Sequence, residues 1–81
     1  MLTGPDLDAA VERAELRAAG RLGYEVYLEG RRVGEIVSVT VQNAQLGDVT
    51  GLLRGFTFRG GQTLYLEVQE ALRGLLGTVS T

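Results

Sequence analysis

After Tyr24 the sequence alternates between apolar and polar residues, and no other feature constrains the fold as strongly. The alternation is clearest in residues 24–29 and 33–41, which a tight turn at 29–32 connects. Because successive side chains of a β-strand point to opposite faces, this period of two predicts strands. In the second stretch one face carries Val37, Val39 and Val41. We expect that valine face to be buried.

Further strands are predicted along the rest of the chain, each short and bounded by glycines or polar residues. They cover residues 49–53, 56–58, 63–68 and 76–80, with a bend at Gly55, a hairpin at Gly60-Gly61 and a short helical turn at 69–75. Five or six short strands between Tyr24 and Thr81 predict a small antiparallel β-barrel that is closed or nearly closed.

An alanine-rich segment precedes the strands and predicts a helix over residues 5–21. Thr3 suits the N-cap position, and Pro5 suits the first turn of the helix. The fold class expected from the whole pattern is α+β, with an N-terminal helix followed by the small β-barrel.

The length of the chain limits it to one domain, and a domain this small has little stability of its own. We expect residues 1–81 to form a single domain, with the helix in residues 1–22 and the barrel in residues 23–81. A domain of this size has a small core, and the absence of cysteine and histidine removes disulfides and structural zinc as supports. We therefore expect protein partners, above all further copies of the same chain.

The predicted helix carries charged residues on both sides of its apolar stripe. At 100° per residue, a basic edge and an acidic edge flank the stripe, and a leucine lies almost opposite it. Arginine and tyrosine are favoured at interfaces, whereas a solvated helix face is the alternative interpretation of the charges. The candidate partner-binding residues are Arg13, Arg17 and Arg21, Asp8, Glu12 and Glu15, Leu16, Arg31, Arg32 and Tyr27.

Histidine, cysteine and lysine are all absent, which removes most catalytic and metal-binding chemistry. The chain therefore has no Ser-His or Cys-His pair, no thiolate or imidazole metal ligand and no P-loop lysine. Carboxylate pairs such as Glu25 and Glu29 suit a solvated strand face better than acid-base catalysis. We expect no enzyme activity, no catalytic residues, no metal, no cofactor and no small-molecule substrate.

The formal net charge of -2 provides no general attraction to the phosphate backbone of nucleic acids. A nucleic-acid partner is therefore not expected. The first residues lack the pattern of a signal peptide, and no stretch approaches the length of an apolar membrane span. The sequence predicts a cytoplasmic protein without membrane insertion.

Parts of the strand region resemble the PRC-barrel family. Residues 29–41 read EGRRVGEIVSVTV and residues 47–53 read GDVTGLL. They are similar to the family's acidic residue and glycine, its hydrophobic-glycine-x-hydrophobic strand and its G-x-V-x-G-L pattern. The run GQTLYL at 61–66 is similar to the family's final section. The resemblance extends over roughly residues 23–81 and implies a small β-barrel that acts as an adaptor or docking module without catalysis.

The helical segment carries a second resemblance. Residues 6–15, DLDAAVERAE, resemble the opening of the small head-tail connector proteins of lambda-type tailed phages, in which a helix precedes a compact β-barrel. That resemblance implies a ring subunit whose charged edges contact adjacent copies. The function expected first is a non-enzymatic protein-protein interaction module that self-associates. The alternative is a structural head-tail joining subunit assembled into a virion.

Overall fold

A computed structural model describes residues 2–21 and 23–79, with the backbone but not the side chain of Leu46. Its elements, in chain order, are α1 (Gly4–Arg13), β1 (Glu15–Ala18), β2 (Gly23–Leu28), β3 (Arg31–Leu46), β4 (Val49–Phe58) and α2 (Val68–Leu76). The α+β class predicted from the sequence is confirmed: two helices accompany one antiparallel sheet.

The four strands follow one another across the sheet in the order β1-β2-β3-β4, each antiparallel to the next. Ile36 in β3 lies opposite Tyr24 on one side and Phe58 on the other. The turn between β2 and β3 has φ of 53° at Glu29 and 80° at Gly30. Two successive positive φ values are typical of tight hairpin turns, because their twist matches that of the strands.

Both helices contribute to a core on one face of the sheet, which we call the inner face. The side chains of Val26 and Ile36 are fully buried there against Leu72 and Leu76 of α2, and Ala10 of α1 completes the cluster. The buried positions of α2 recur at helical spacing, which explains why this segment forms a helix. Each large side chain buried in this way contributes about 1.5–3 kcal/mol.

The first helix is shorter than the predicted 5–21. It ends at Arg13, because Ala14 adopts an extended conformation with φ -66° and ψ 141°. The following four residues pair with β2 as β1, and this pairing places Leu16 beside Val26. Leu16 is half-buried against the core, so the prediction that it lies on an exposed helix face is wrong. Strand pairing overrides the helix propensity of the alanines here.

Within residues 2–21 and 23–79 the predicted barrel of five or six strands is not formed: the sheet has four strands and is open, with β1 and β4 as its edges. Residues 63–68 do not continue the sheet as a strand, because only Tyr65 bridges to Phe56 before α2 begins at Val68. The predicted helical turn at 69–75 is confirmed and is longer than expected. Leu76 ends that helix, so the strand predicted over 76–80 is wrong as far as the described residues extend.

The bend predicted at Gly55 is also wrong, because β4 runs without interruption from Val49 to Phe58. Gly55 is buried instead, and a Cβ atom there would lie 2.6 Å from the carbonyl oxygen of Tyr65. The glycine therefore permits a close approach of the segment that follows β4.

Burial along β3 is the reverse of the prediction. Ile36 is fully buried under the helices, whereas Val37 and Val41 are each 37% exposed on the outer face. Alternation shows that two sets of side chains face opposite ways, but it does not identify the face that the helices cover. The series Val37, Val39 and Val41 lies on the face without helices.

The β3-β4 hairpin extends well beyond the helices. β2 pairs with β3 only as far as Gly23 and Val37, whereas β3 and β4 remain paired to Leu46 and Val49. We call residues 38–55 the ribbon and the other described residues the body. The ribbon makes the molecule elongated, with extents of 42 × 29 × 19 Å and a radius of gyration of 13.7 Å. A compact chain of this length has a radius of gyration of about 12 Å.

Candidate interaction surfaces

The arginines predicted to form one basic helix edge lie on three different elements. Arg13 is in the last turn of α1, Arg17 is on β1, and Arg21 follows β1 in an exposed turn. The basic edge predicted on one helix is therefore wrong. The acidic edge is divided in the same way, since Asp8 and Glu12 lie on α1 and Glu15 lies on β1.

Several of the predicted charged residues form ion pairs within the chain. Arg13 lies 3.1 Å from Glu29 across the body, and Arg32 lies 3.0 Å from Glu35. Asp8 accepts a hydrogen bond from Arg73 of α2, which links the two helices. The side chains involved are mostly well exposed, so each pair contributes only about 0–1 kcal/mol.

The outer face of β1 and β2 carries a polar network that includes two of the candidates. Arg17 donates two hydrogen bonds of 3.2 Å to the carboxylate of Glu15, and its guanidinium lies 4.0 Å from the centre of the Tyr27 ring. The Tyr27 hydroxyl donates a 2.8 Å hydrogen bond to Glu25.

These contacts shift two pKa values. The hydrogen bond to Glu15 is the main cause that raises the pKa of Arg17. The hydrogen bond to Glu25 and then partial desolvation raise the pKa of Tyr27. Arg31, Arg21 and Glu12 are exposed and lie outside this network.

The ribbon is a second candidate surface, and none of the partner-binding residues predicted from the sequence lies in it. Val49 and Leu52 are 64% and 65% exposed, more than expected for large apolar side chains in a strand. Of the eight basic and ten acidic residues of the chain, only Arg54 and Asp48 lie in the ribbon. Unlike the body, the ribbon therefore has few charges to keep it in water.

The backbone of β4 has a free hydrogen-bonding edge in the ribbon. The N–H and C=O groups of Phe56 both bond to Tyr65, at 2.7 Å each, so they point away from β3. Backbone groups along an antiparallel strand alternate in direction, so those of Arg54, Leu52 and Thr50 point the same way. Beyond Tyr65 the chain turns into α2, and these groups face outward from the sheet.

The opposite edge of the ribbon, on β3, is less regular. The register shifts between Val41 and Ala44, where β3 has one more residue than β4, and Asn43 adopts a φ of 58°. A bulge of this kind disrupts the ladder and twists the strand, which protects an edge from pairing. The β4 edge carries no such interruption.

The two outer strands of the sheet are also protected to different degrees. β1 has four residues, and two of them, Glu15 and Arg17, are charged. The free part of β4 contains five consecutive uncharged residues, 49–53. Short, charged strands resist edge-to-edge association, whereas longer uncharged strands are open to it. The β4 edge is thus the more suitable docking site of the two.

The total surface of the chain indicates how much of it is available to a partner. The accessible surface is 5729 Å², whereas a compact monomer of 8.7 kDa exposes about 4700 Å². The excess of about 1000 Å² is similar to the 800 Å² that one partner contributes to a typical specific interface, about 1600 Å² in total.

Comparisons of this chain with protein-family models, with curated proteins and with solved structures find no match. Neither described helix has the length and apolar content needed to cross a lipid bilayer. Within residues 2–21 and 23–79, no group of three or more Asp, Glu, His or Cys side chains is placed to hold a metal ion.

Proposed function

We propose that this chain is a non-enzymatic protein-protein interaction module that binds protein partners, above all further copies of itself. The observation that carries the proposal is the ribbon: a two-stranded arm with exposed apolar side chains, few charges and an unprotected β4 edge. In the body, by contrast, half of the sixteen charged residues form ion pairs within the chain, which supports the same interpretation.

The energetics of a two-stranded ribbon support a role in binding. A hairpin without a third strand or a covering helix is only marginally stable in water. Fully burying a side chain such as Val49 or Leu52 against a partner stabilises the complex by about 1.5–3 kcal/mol each. A partner strand also supplies hydrogen bonds to the free edge of β4. Association therefore gives the ribbon the apolar burial and the edge hydrogen bonds that it lacks in the isolated chain.

A ring-forming structural subunit is the second candidate, and the length of the ribbon favours it over a compact adaptor. An arm that extends beyond its own helices can reach a neighbouring subunit in a closed ring. The virion head-tail subunit suggested by residues 6–15 is one protein of this kind. An adaptor of the PRC type would instead present its sheet to a different protein.

The mass of the protein in solution tests the proposal. Light scattering coupled to size exclusion, at several concentrations and two salt concentrations, is expected to show a mass above 8.7 kDa that rises with concentration. A fixed mass of many copies identifies a ring, and a dimer identifies a pairwise module. A mass of one chain at every concentration up to the millimolar range contradicts self-association.

A further inference from the structure

We infer that the partner of the ribbon is the ribbon of a second copy, and that the free β4 edges of the two copies pair antiparallel about a twofold axis through Gly51. This inference rests on the proposed function and specifies its partner. Each sheet of four strands then becomes half of a continuous sheet of eight.

The direction of the backbone groups permits this pairing. Thr50, Leu52 and Arg54 point their N–H and C=O groups outward from β4, as the bonds of Phe56 establish. With Gly51 on the axis, Thr50 lies opposite the partner's Leu52 and forms a hydrogen-bonded pair with it. The two Gly51 residues face each other in a non-hydrogen-bonded pair between them. Every outward group in this stretch therefore meets an outward group of the partner.

Charge complementarity selects this register from the others that the backbone permits. Asp48 lies at the tip of the ribbon and Arg54 lies at its root. With Gly51 on the axis, each Asp48 is opposite the partner's Arg54, so the dimer contains two such ion pairs. Moving the axis by one residue to Leu52 places Arg54 opposite the partner's Thr50 and leaves both charges without an ionic partner. Opposite charges across a strand pair stabilise it, and their loss weakens it.

The same register also covers the two most exposed apolar side chains of the ribbon, although Leu66 of the body, which is 64% exposed, lies outside it. Val49 and Leu53 are separated by four residues on β4, so both lie on the outer face. In this register Val49 is opposite the partner's Leu53, and Leu53 is opposite the partner's Val49. Leu52 lies on the inner face, diagonally across from the partner's Leu52. Such diagonal neighbours are about 7–8 Å apart at Cα, within reach of leucine side chains. Val49 and Leu52, which are 64% and 65% exposed in one chain, both gain apolar contacts.

The length of the ribbon fits a partner arm of the same length. The tip of each ribbon reaches the root of the other, where Tyr65 occupies the edge beside Phe56 and stops further pairing. The dimer is therefore closed, because neither β4 edge remains free for a third copy. The irregular β3 edge and the short charged β1 remain at the outside of the eight-stranded sheet.

Disulfide formation through Gly51→Cys tests the register directly, because the natural chain has no cysteine. A Cβ atom at Gly51 meets nothing within 4 Å, and its backbone is outside the left-handed region, so the substitution is unstrained. In a non-hydrogen-bonded antiparallel pair the Cα atoms are about 4.5 Å apart, within the range that a disulfide requires. We expect the full-length G51C protein to form a disulfide-linked dimer under mild oxidation.

Val49→Cys is the matched control, because it lies on the same face of the same strand and is 64% exposed. In the inferred register the two Cα atoms at position 49 are separated by four residues along the strands, about 13 Å. We expect G51C to cross-link at least tenfold faster than V49C at the same protein concentration. Equal rates, or a faster reaction of V49C, would overturn the inferred register.

Charge reversal provides a second test that needs no cysteine. Arg54→Asp or Asp48→Arg alone is expected to weaken dimerisation about tenfold, because each change puts two repulsive pairs into the dimer. The double variant D48R/R54D restores both pairs and is expected to dimerise within about threefold of the natural chain. Failure of the double variant to recover, with circular dichroism unchanged, contradicts the pairing of Asp48 with Arg54.

The outcomes separate this inference from the proposed function. If light scattering of the natural chain shows association but G51C cross-links no faster than V49C, copies associate through another surface. The proposed function then stands and the β4 pairing is wrong. If the natural chain remains one chain at every concentration, self-association and the inferred pairing both fail.

Discussion

The body and the ribbon share strands β3 and β4, yet the side chains and backbone of these strands find their partners in different ways in the two regions. In the body, β3 lies between β2 and β4, and Ile36 is fully buried under α2. In the ribbon, β3 pairs with β4 alone, and the exposed fractions of Val49 and Leu52 are near two thirds. The body is a small folding unit, whereas the ribbon is a surface that lacks its second layer.

The distribution of charge follows the same division. The body contains all but two of the charged residues and pairs several of them internally, as between Arg13 and Glu29. The ribbon contains only Asp48 and Arg54, at its two ends. A segment that remained in water throughout would benefit from charge along its edges. This division of charge is what we expect if a partner covers the ribbon, as proposed, and the body provides the stability to present it.

The largest expected effect comes from the core of the body. Ile36→Ala removes a fully buried side chain from the central strand and is expected to lower the free energy of unfolding by about 3 kcal/mol. Val37→Ala, its neighbour on the outer face, is expected to lower it by less than about 1 kcal/mol. Urea denaturation of both variants measures the difference. Equal losses would mean that the helices are not the main cover of the sheet.

The second prediction removes the ribbon. Replacing residues 40–54 with Asn-Gly connects Val39 to Gly55 through a two-residue turn, and these residues are opposite each other in the natural register. The shortened chain is expected to unfold with a free energy within about 1 kcal/mol of the natural value under conditions where both are monomeric. Light scattering is expected to show one chain at all concentrations. An unfolded product would show that the ribbon is part of the folding unit.

The third prediction concerns the charged residues of the body that the sequence reasoning selected as an interface. Changing Arg13, Arg17 and Arg21 to glutamine together is expected to leave the dimer dissociation constant within about threefold of the natural value, because these residues lie outside the ribbon and exposed ion pairs contribute little. Sedimentation at several concentrations measures that constant. If the variant keeps its fold but no longer assembles, the interface is formed by these arginines and not by the ribbon.

The smallest expected effect is a pH dependence of the body alone. Because the hydrogen bond to Glu25 raises the pKa of Tyr27 in the folded chain, this group stabilises the fold at pH values below its unfolded pKa of about 10. That contribution is lost as the pH rises through the higher folded pKa. Tyr27→Phe is expected to reduce the fall in melting temperature across this alkaline range. An unchanged alkaline fall would show that the Tyr27 hydrogen bond has no thermodynamic effect.

The sequence predicts the elements of the body better than their assembly. Alternation locates β2 and the start of β3, and the spacing of Ala71, Leu72 and Leu75 explains α2, which was expected only as a short turn. The error at 14–21 arose because alanine-rich sequence favours a helix, whereas pairing with β2 decides the outcome. Local propensity does not report such tertiary contacts.

The exposed ribbon could not be found from alternation alone. The valine series in β3 is typical of a buried face, and only the position of α2 shows that Ile36 takes that role. The scarcity of charge between Ser38 and Gly55 was the available signal. It could have indicated a surface covered by a partner, but the same composition also fits a strand inside a barrel.

Amide hydrogen exchange at two protein concentrations, below and above the association midpoint, tests the central claim most directly. The account predicts that the N–H groups of Leu52 and Arg54, which point outward from β4, become at least tenfold more protected at the higher concentration. The N–H group of Thr40, on the β3 edge, is predicted to remain unprotected at both concentrations. Protection of Thr40 instead, or no change at Leu52 and Arg54 while the mass doubles, would contradict pairing through β4.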